Sequence, residues 1–185
     1  MAGKIKGKEW YTLVAPLLFK NKILGETLVS DPTDVVGRTI VKSLPELGGH
    51  PSKYYIRVKF KAVDTKGKIV TTKYVGQECL RDFILQMVRK GSSRIDNVVK
   101  VKTKDNRELV LKSITITLKR AKTSIRSKIR KETEAMIKEK TKKMKMGDLI
   151  NSIIKDRFQV QIRKNLNKIY PIKKFEIRKI EVVQA

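Results

Sequence analysis

Lys53-Tyr54-Tyr55-Ile56-Arg57-Val58-Lys59-Phe60-Lys61-Ala62-Val63 alternates residue by residue. Tyr54, Ile56, Val58, Phe60 and Ala62 fall on one side of a two-residue period, and Lys53, Tyr55, Arg57, Lys59 and Lys61 on the other. Such alternation, rich in β-branched and aromatic residues, predicts a half-buried antiparallel strand. One face meets a core, and the other presents cations and a tyrosine outward. The chain is therefore read as a β core whose outer surface is built to meet polyanion.

The neighbouring segments extend this core. Asp64-Thr65-Lys66-Gly67 is a hairpin turn, with Gly67 free to take positive φ. Residues 68–75 return as the partner strand. Upstream, Pro45, Gly48, Gly49 and Pro51 mark a loop around the single histidine, His50. Residues 26–30 and 37–42 read as short strands about the turn-prone Asp31-Pro32-Thr33-Asp34. Lys8 to Val14 opens the folded part, and Ala15 to Phe19 is an apolar anchor. Trp10, Tyr11 and Phe19 read as core or packing cover. Trp10 and Tyr55 are also the candidates for base stacking. Residues 1–8 form a basic arm, with Lys4, Lys6 and Lys8, expected to order on a partner.

Beyond Val75 the period changes. Leu80, Phe83, Ile84, Met87 and Val88 recur at helical spacing, which predicts a helix over 78–90 that closes one side of the β core. Cys79 stands at its start beside Arg81 and reads as a small structural residue; a lowered thiol pKa is the alternative. Residues 98–104 form a second basic strand, with Lys100, Lys102 and Lys104 facing outward, and Asp105-Asn106 turns the chain. Residues 107–120 run back with a slipped phase: Leu109 and Leu111 are odd, while Ile114, Ile116 and Leu118 are even. One β-bulge near Lys112-Ser113 would bring both sets onto a single core face, and bulges bend sheets toward barrels.

Residues 121–145 are helical, with a thin apolar stripe of Ile125, Ile129 and Met136. Gly147 is read as the break, with Asp148 capping the next helix. Short helices follow through Ile154 and through Phe158, Ile162, Leu166 and Ile169, until Pro171. Residues 175–183 form a last strand. The predicted class is α+β: an antiparallel β-barrel-like core flanked by helices, with a long basic helix after the barrel strands. A single domain is expected over 9–185, with the β core at about 24–120, a helical part at about 121–170 and a final strand at 172–183.

Charge decides the functional class. The 185 residues hold 44 Lys+Arg against 18 Asp+Glu, a formal net charge of +26. Self-repulsion on this scale calls for a neutralising partner. One histidine and one cysteine cannot build a His/Cys zinc site. No Ser–His–Asp or Cys–His spacing, phosphate loop or paired carboxylate is present, so no catalytic residue, metal or cofactor is expected. No apolar run reaches about 18 residues, and the basic start lacks a signal-peptide pattern, so no membrane partner is expected. A single cysteine fits a reducing cytoplasm.

The candidate phosphate contacts follow from charge placement alone. They are Lys4, Lys6 and Lys8 on the arm, and Lys53, Arg57, Lys59 and Lys61 on the central strand. Lys100 and Lys102 lie on the second basic strand. The long helix and its flanks add Arg120, Lys122, Arg126, Lys128, Arg130, Lys131, Lys142, Lys143 and Lys145. Cations on several faces suit a protein embedded in folded RNA rather than one reading a groove with a single helix. Lysine predominates, so neutralisation outweighs base reading. A free RNA-binding translational regulator is the alternative. Membrane adsorption would need a broader apolar face than the long helix has.

Particular stretches carry a family resemblance. Lys8-Glu9-Trp10-Tyr11, Ala15-Pro16, Phe19 and Ile23-Leu24-Gly25-Glu26-Thr27 resemble the opening of the small-subunit ribosomal protein family S3Ae, also called eS1. Gly37-Arg38, Ser43-Leu44-Pro45-Glu46-Leu47, Lys59-Phe60-Lys61 and Gly76-Gln77-Glu78-Cys79-Leu80-Arg81-Asp82 follow in order. Lys168-Ile169-Tyr170-Pro171-Ile172 and Phe175-Glu176-Ile177-Arg178-Lys179 match the ending. The chain is similar to archaeal members, lacking the extensions of eukaryotic ones. The resemblance implies a ribonucleoprotein component in translation, on the platform of the small subunit near the messenger-RNA exit. It implies contact with rRNA, with neighbouring ribosomal proteins and, at the exit, with messenger RNA, and it carries over no catalytic residue.

Overall fold

The computed structural model describes residues 7–183. Its order is β1 (Glu9–Val14), β2 (Ile23–Val29), β3 (Thr39–Ser43), β4 (Ile56–Lys66), β5 (Ile69–Cys79), α1 (Arg81–Met87), β6 (Arg94–Lys102), β7 (Glu108–Thr117), α2 (Thr123–Lys143), α3 (Met146–Ile154), α4 (Arg157–Leu166) and β8 (Ile172–Val182). The class is α+β, with the long basic helix α2 after the strands, as expected. The chain forms two compact units, divided after Gln77 within β5.

In the first unit the strands pair in the order β2–β1–β5–β4–β3. They are mixed rather than wholly antiparallel, because β1 runs parallel to β5 (Leu13↔Val70). Non-local pairing of this kind leaves no mark in strand periodicity. The β4–β5 hairpin turns at Gly67, with φ of +61° as predicted. Ile56, Val58, Phe60 and Ala62 are buried along β4, while Arg57, Lys59 and Lys61 are exposed. Phe19 packs edge-to-face on Phe60, with ring centroids 5.2 Å apart.

The reading fails at the start of this strand. Pro51–Lys53 form a 3-10 turn and Tyr54 is still helical (φ −56°, ψ −23°). The alternation therefore begins only at Ile56. Tyr54 is exposed and Tyr55 is buried, the reverse of the expectation.

In the second unit β7 lies antiparallel between β6 and β8. Both sheet faces are covered. Val99, Val101, Leu109, Leu111, Ile177 and Ile180 meet Ile129 and Ile137 of α2 with the apolar faces of α3 and α4. Ile114 and Ile116 meet Ile84 and Met87 of α1 on the other side. This explains the phase slip of β7. The strand stays in step with β6 through Lys112↔Val98 and Ser113↔Asn97, and simply buries both faces beyond Lys112. The register does shift at Lys112/Ser113, but against β8: Lys112 faces Lys179 and Ser113 faces Ile177, which leaves Arg178 as the extra residue. The bulge thus sits on β8, and the single core face becomes two.

Two further boundaries move. β5 continues to Cys79 and α1 spans only 81–87, so Cys79 ends a strand. The α2–α3 break falls at Met144–Lys145, and Gly147 and Asp148 lie inside α3.

Candidate nucleic-acid interface

α2 carries the densest cationic surface. Its helix is supported by Glu134–Lys138 and Glu139–Lys143 pairs at i,i+4, each 2.6 Å. The inward face includes Thr133 and Thr141, whose hydroxyls donate to the Ile129 and Ile137 carbonyls at 2.7 Å. These bonds let polar residues sit in the core without orphaned groups. Asn97 Nδ2 donates to the Arg130 carbonyl at 3.0 Å, tying α2 to β6. Lys140 Nζ donates to Gln161 Oε1 at 2.5 Å, tying it to α4. With Ile129 directed inward, Lys131, Lys138 and Lys142 fall within about 40° of the opposite direction at roughly 100° per residue. Lys128, Arg130, Lys131 and Lys142 make no ion pair among the described residues and are exposed.

The remaining α2 candidates flank this ridge. Arg120 and Lys122 are exposed at the β7–α2 junction, where the Tyr170 hydroxyl donates to the Arg120 carbonyl at 3.2 Å. Arg126 Nη2 donates to Thr123 Oγ1 at 3.2 Å. Lys143 is engaged by Glu139, and Lys145 is exposed before α3. Lys100 and Lys102 project from the face of β6 opposite the one α2 covers, so the structure does not bring them to the ridge.

In the first unit Arg57, Lys59 and Lys61 form an outward row on β4, beside Ser43, Val41 and Thr39 of β3. Lys53 is half-buried and Lys8 is exposed. Lys4 and Lys6 lie outside the described residues. Trp10 is 36% exposed and remains available for stacking. Tyr55, at 8%, is not, because the 3-10 turn puts its ring inward; the exposed aromatic is Tyr54, at 59%.

α4 adds cations that charge placement along the sequence did not single out. Phe158, Ile162 and Leu166 are buried there, which leaves Arg157, Arg163 and Lys164 exposed. The apolar stripe that revealed the helix also specified its outer face.

The other chemistry is structural. Burial pushes the Cys79 thiol up to about 12, the reverse of activation, and its Sγ donates to the Ile177 carbonyl at 3.3 Å. His50 Nδ1 accepts the Ser52 N–H at 3.3 Å and lies 2.7 Å from Ser52 Oγ, stabilising the 3-10 turn. Among the described residues no group of three His, Cys, Asp or Glu is placed to hold a metal, and no helix is long and apolar enough to cross a membrane.

A model of the ribosomal S3Ae family matches residues 1–185. The chain is 37% identical to small ribosomal subunit protein eS1 of Methanopyrus kandleri over 185 residues, covering 98% of this chain and 88% of that protein. It is 34% identical to the eS1 protein of Methanobrevibacter smithii, covering 96% and 92%. The eS1 protein of Staphylothermus marinus is 33% identical, with 97% and 85% covered.

Proposed function

The chain belongs to the ribosomal S3Ae family, and from this premise we propose that it is a structural, non-enzymatic constituent of the small ribosomal subunit that binds rRNA. The observation that carries the RNA contact is the outer ridge of α2. Lys131 and Lys142 stand there, with Lys128 and Arg130 on its two flanks, and none of the four has an acidic partner among the described residues. Cations so exposed can neutralise phosphates and release the counterions condensed on the nucleic acid, which favours binding. Residues 9–185 act in this reading as one ribosomal-protein domain. Its seat is the platform near the messenger-RNA exit, against neighbouring ribosomal proteins, in the cytoplasm. The β4 row of Arg57, Lys59 and Lys61 supplies a second phosphate contact, and Lys8 a third.

The test compares the full chain with R130E/K131E/K142E. The wild type should co-sediment with the small subunit and be released by RNase. The variant should keep its circular dichroism and lose rRNA affinity, with the slope of log K against log salt reduced by about 2–3. A wild-type chain that sediments free of the small subunit would sink the proposal. Crosslinks mainly to RNA other than rRNA would favour a regulator acting off the ribosome instead.

A further inference from the structure

One concave surface is left unused by the ridge. It lies on the α1 side of the β6–β7–β8 sheet and encloses about 340 Å³, at the lower end of the ~300–1,000 Å³ range of ligand sites. Arg81, Ile84 and Leu85 of α1, Arg94 of β6, and Arg178 and Lys179 of β8 line it, together with Glu78 and Cys79 at the end of β5, so four cations meet one carboxylate there.

Its composition departs from that of the chain. Lysines number 32 and arginines 12, yet three arginines meet in this one pocket. Arg178 arrives there through the β8 bulge, as the residue without a partner on β7. Bulges redirect a side chain out of a strand's alternation.

The pocket's cations are unequally matched. Arg94 is held by Asp96 through Nε–Oδ2 at 2.9 Å and Nη2–Oδ1 at 3.2 Å. Lys179 lies 2.8 Å from Glu181 and 3.7 Å from Glu78. Arg81 and Arg178 have no hydrogen-bond or ion-pair partner among the described residues. Beside them Leu85 presents an apolar wall, 55% exposed, above the buried Ile84.

We propose that this pocket receives one nucleotide turned out of an RNA strand, with its phosphate between Arg81 and Arg178 and its base against Leu85. The inference rests on the rRNA-binding reading above. Planar guanidinium groups offer paired donors to a phosphate and a flat face to an unstacked base, which ammonium groups do not. The carboxylates of an acidic peptide could pair with the same guanidinium forks, but such a peptide would leave the Leu85 wall without use.

The test follows the Ile84 and Leu85 methyl resonances of the full chain during titration with AMP, inorganic phosphate and a poly-glutamate peptide. AMP should shift both residues, and phosphate should perturb the pocket less. R81A/R178A should abolish the AMP response and weaken binding to a small-subunit rRNA fragment by about tenfold. R81K/R178K, which keeps the charge, should retain the phosphate response and lose most of the AMP response, so the inference does not depend on the alanine variant folding. No methyl shift with millimolar AMP, or a stronger response to poly-glutamate than to AMP, would overturn it. If R130E/K131E/K142E weakens rRNA binding while R81A/R178A does not, the pocket assignment fails and the rRNA reading stands. If the wild type binds no rRNA, that reading fails, and the AMP titration still decides the pocket.

Discussion

Asp105 Oδ1 accepts the backbone N–H of Met146 at 3.1 Å, so the β6–β7 turn caps a helix 41 residues further along the chain. Lys145, at the cap position of α3, makes no side-chain capping bond of its own. The same carboxylate oxygen receives the Thr103 hydroxyl at 2.6 Å. Nearby, the Lys104 N–H donates to the Met144 carbonyl at 3.0 Å. One short turn thus closes β6 onto β7 and starts α3.

D105A should cost about 1–2 kcal/mol, as loss of a helix cap does. Burial pushes the Asp105 carboxyl up, but the Thr103 hydroxyl, backbone N–H groups including that of Met146, and Arg107 outweigh it and hold the group below the ordinary carboxylate range. Its folded value is thus below its unfolded one. The contribution is complete above about pH 4 and is lost as pH falls through the folded value. Urea denaturation of wild type and D105A at pH 7 and pH 2.5 checks this: the gap should narrow in acid. An equal gap at both values would assign the cost to something other than the carboxylate.

Phe60→Ala should destabilise the chain by about 3–5 kcal/mol. Phe60 is fully buried and carries the edge contact to Phe19. Lys59→Ala, one residue away on the exposed face, should stay within about 0.5 kcal/mol. Chemical denaturation of the pair tests the face assignment of β4 directly. Similar losses from both would contradict it.

Glu176→Gln should stabilise the protein at neutral pH. Burial pushes the Glu176 carboxyl up, Asp156 adds to this, and the Gln159 amide, which donates to Oε1 at 3.1 Å, works against it. The folded value is above the unfolded one, so the ionised form is disfavoured in the native state. The wild type should therefore gain stability as pH falls from neutral toward the raised value. The Tm difference between E176Q and wild type should be positive at pH 7 and shrink in acid. A lower Tm for E176Q at pH 7 would mean that the native state uses the negative charge.

Local physics made much of this protein legible. The β4 core positions Ile56 to Ala62, the turns at Gly67 and at Asp105-Asn106, the long helix α2 and the α+β class all followed from spacing and turn chemistry. Each depends on residues close in sequence, where a side chain's direction follows from the period of the backbone. The β7 slip was also visible, but its cause was not. Leu109 with Leu111 and Ile114 with Ile116 record two buried faces, and periodicity cannot report what covers a face.

The amino-acid order alone determined which residues prefer burial, where the chain turns, and that the folded chain carries a formal net charge of +26. Only the tertiary structure decided that β1 pairs parallel to β5, that Asp105 caps α3, that Tyr55 turns inward, and that the β8 bulge sends Arg178 toward Arg81. It also parted Lys100 and Lys102 from the α2 ridge, since they extend from the opposite face of the sheet. These are relations between segments distant in sequence. Their energies appear only when the chain closes the loops between them, and so no local pattern encodes them.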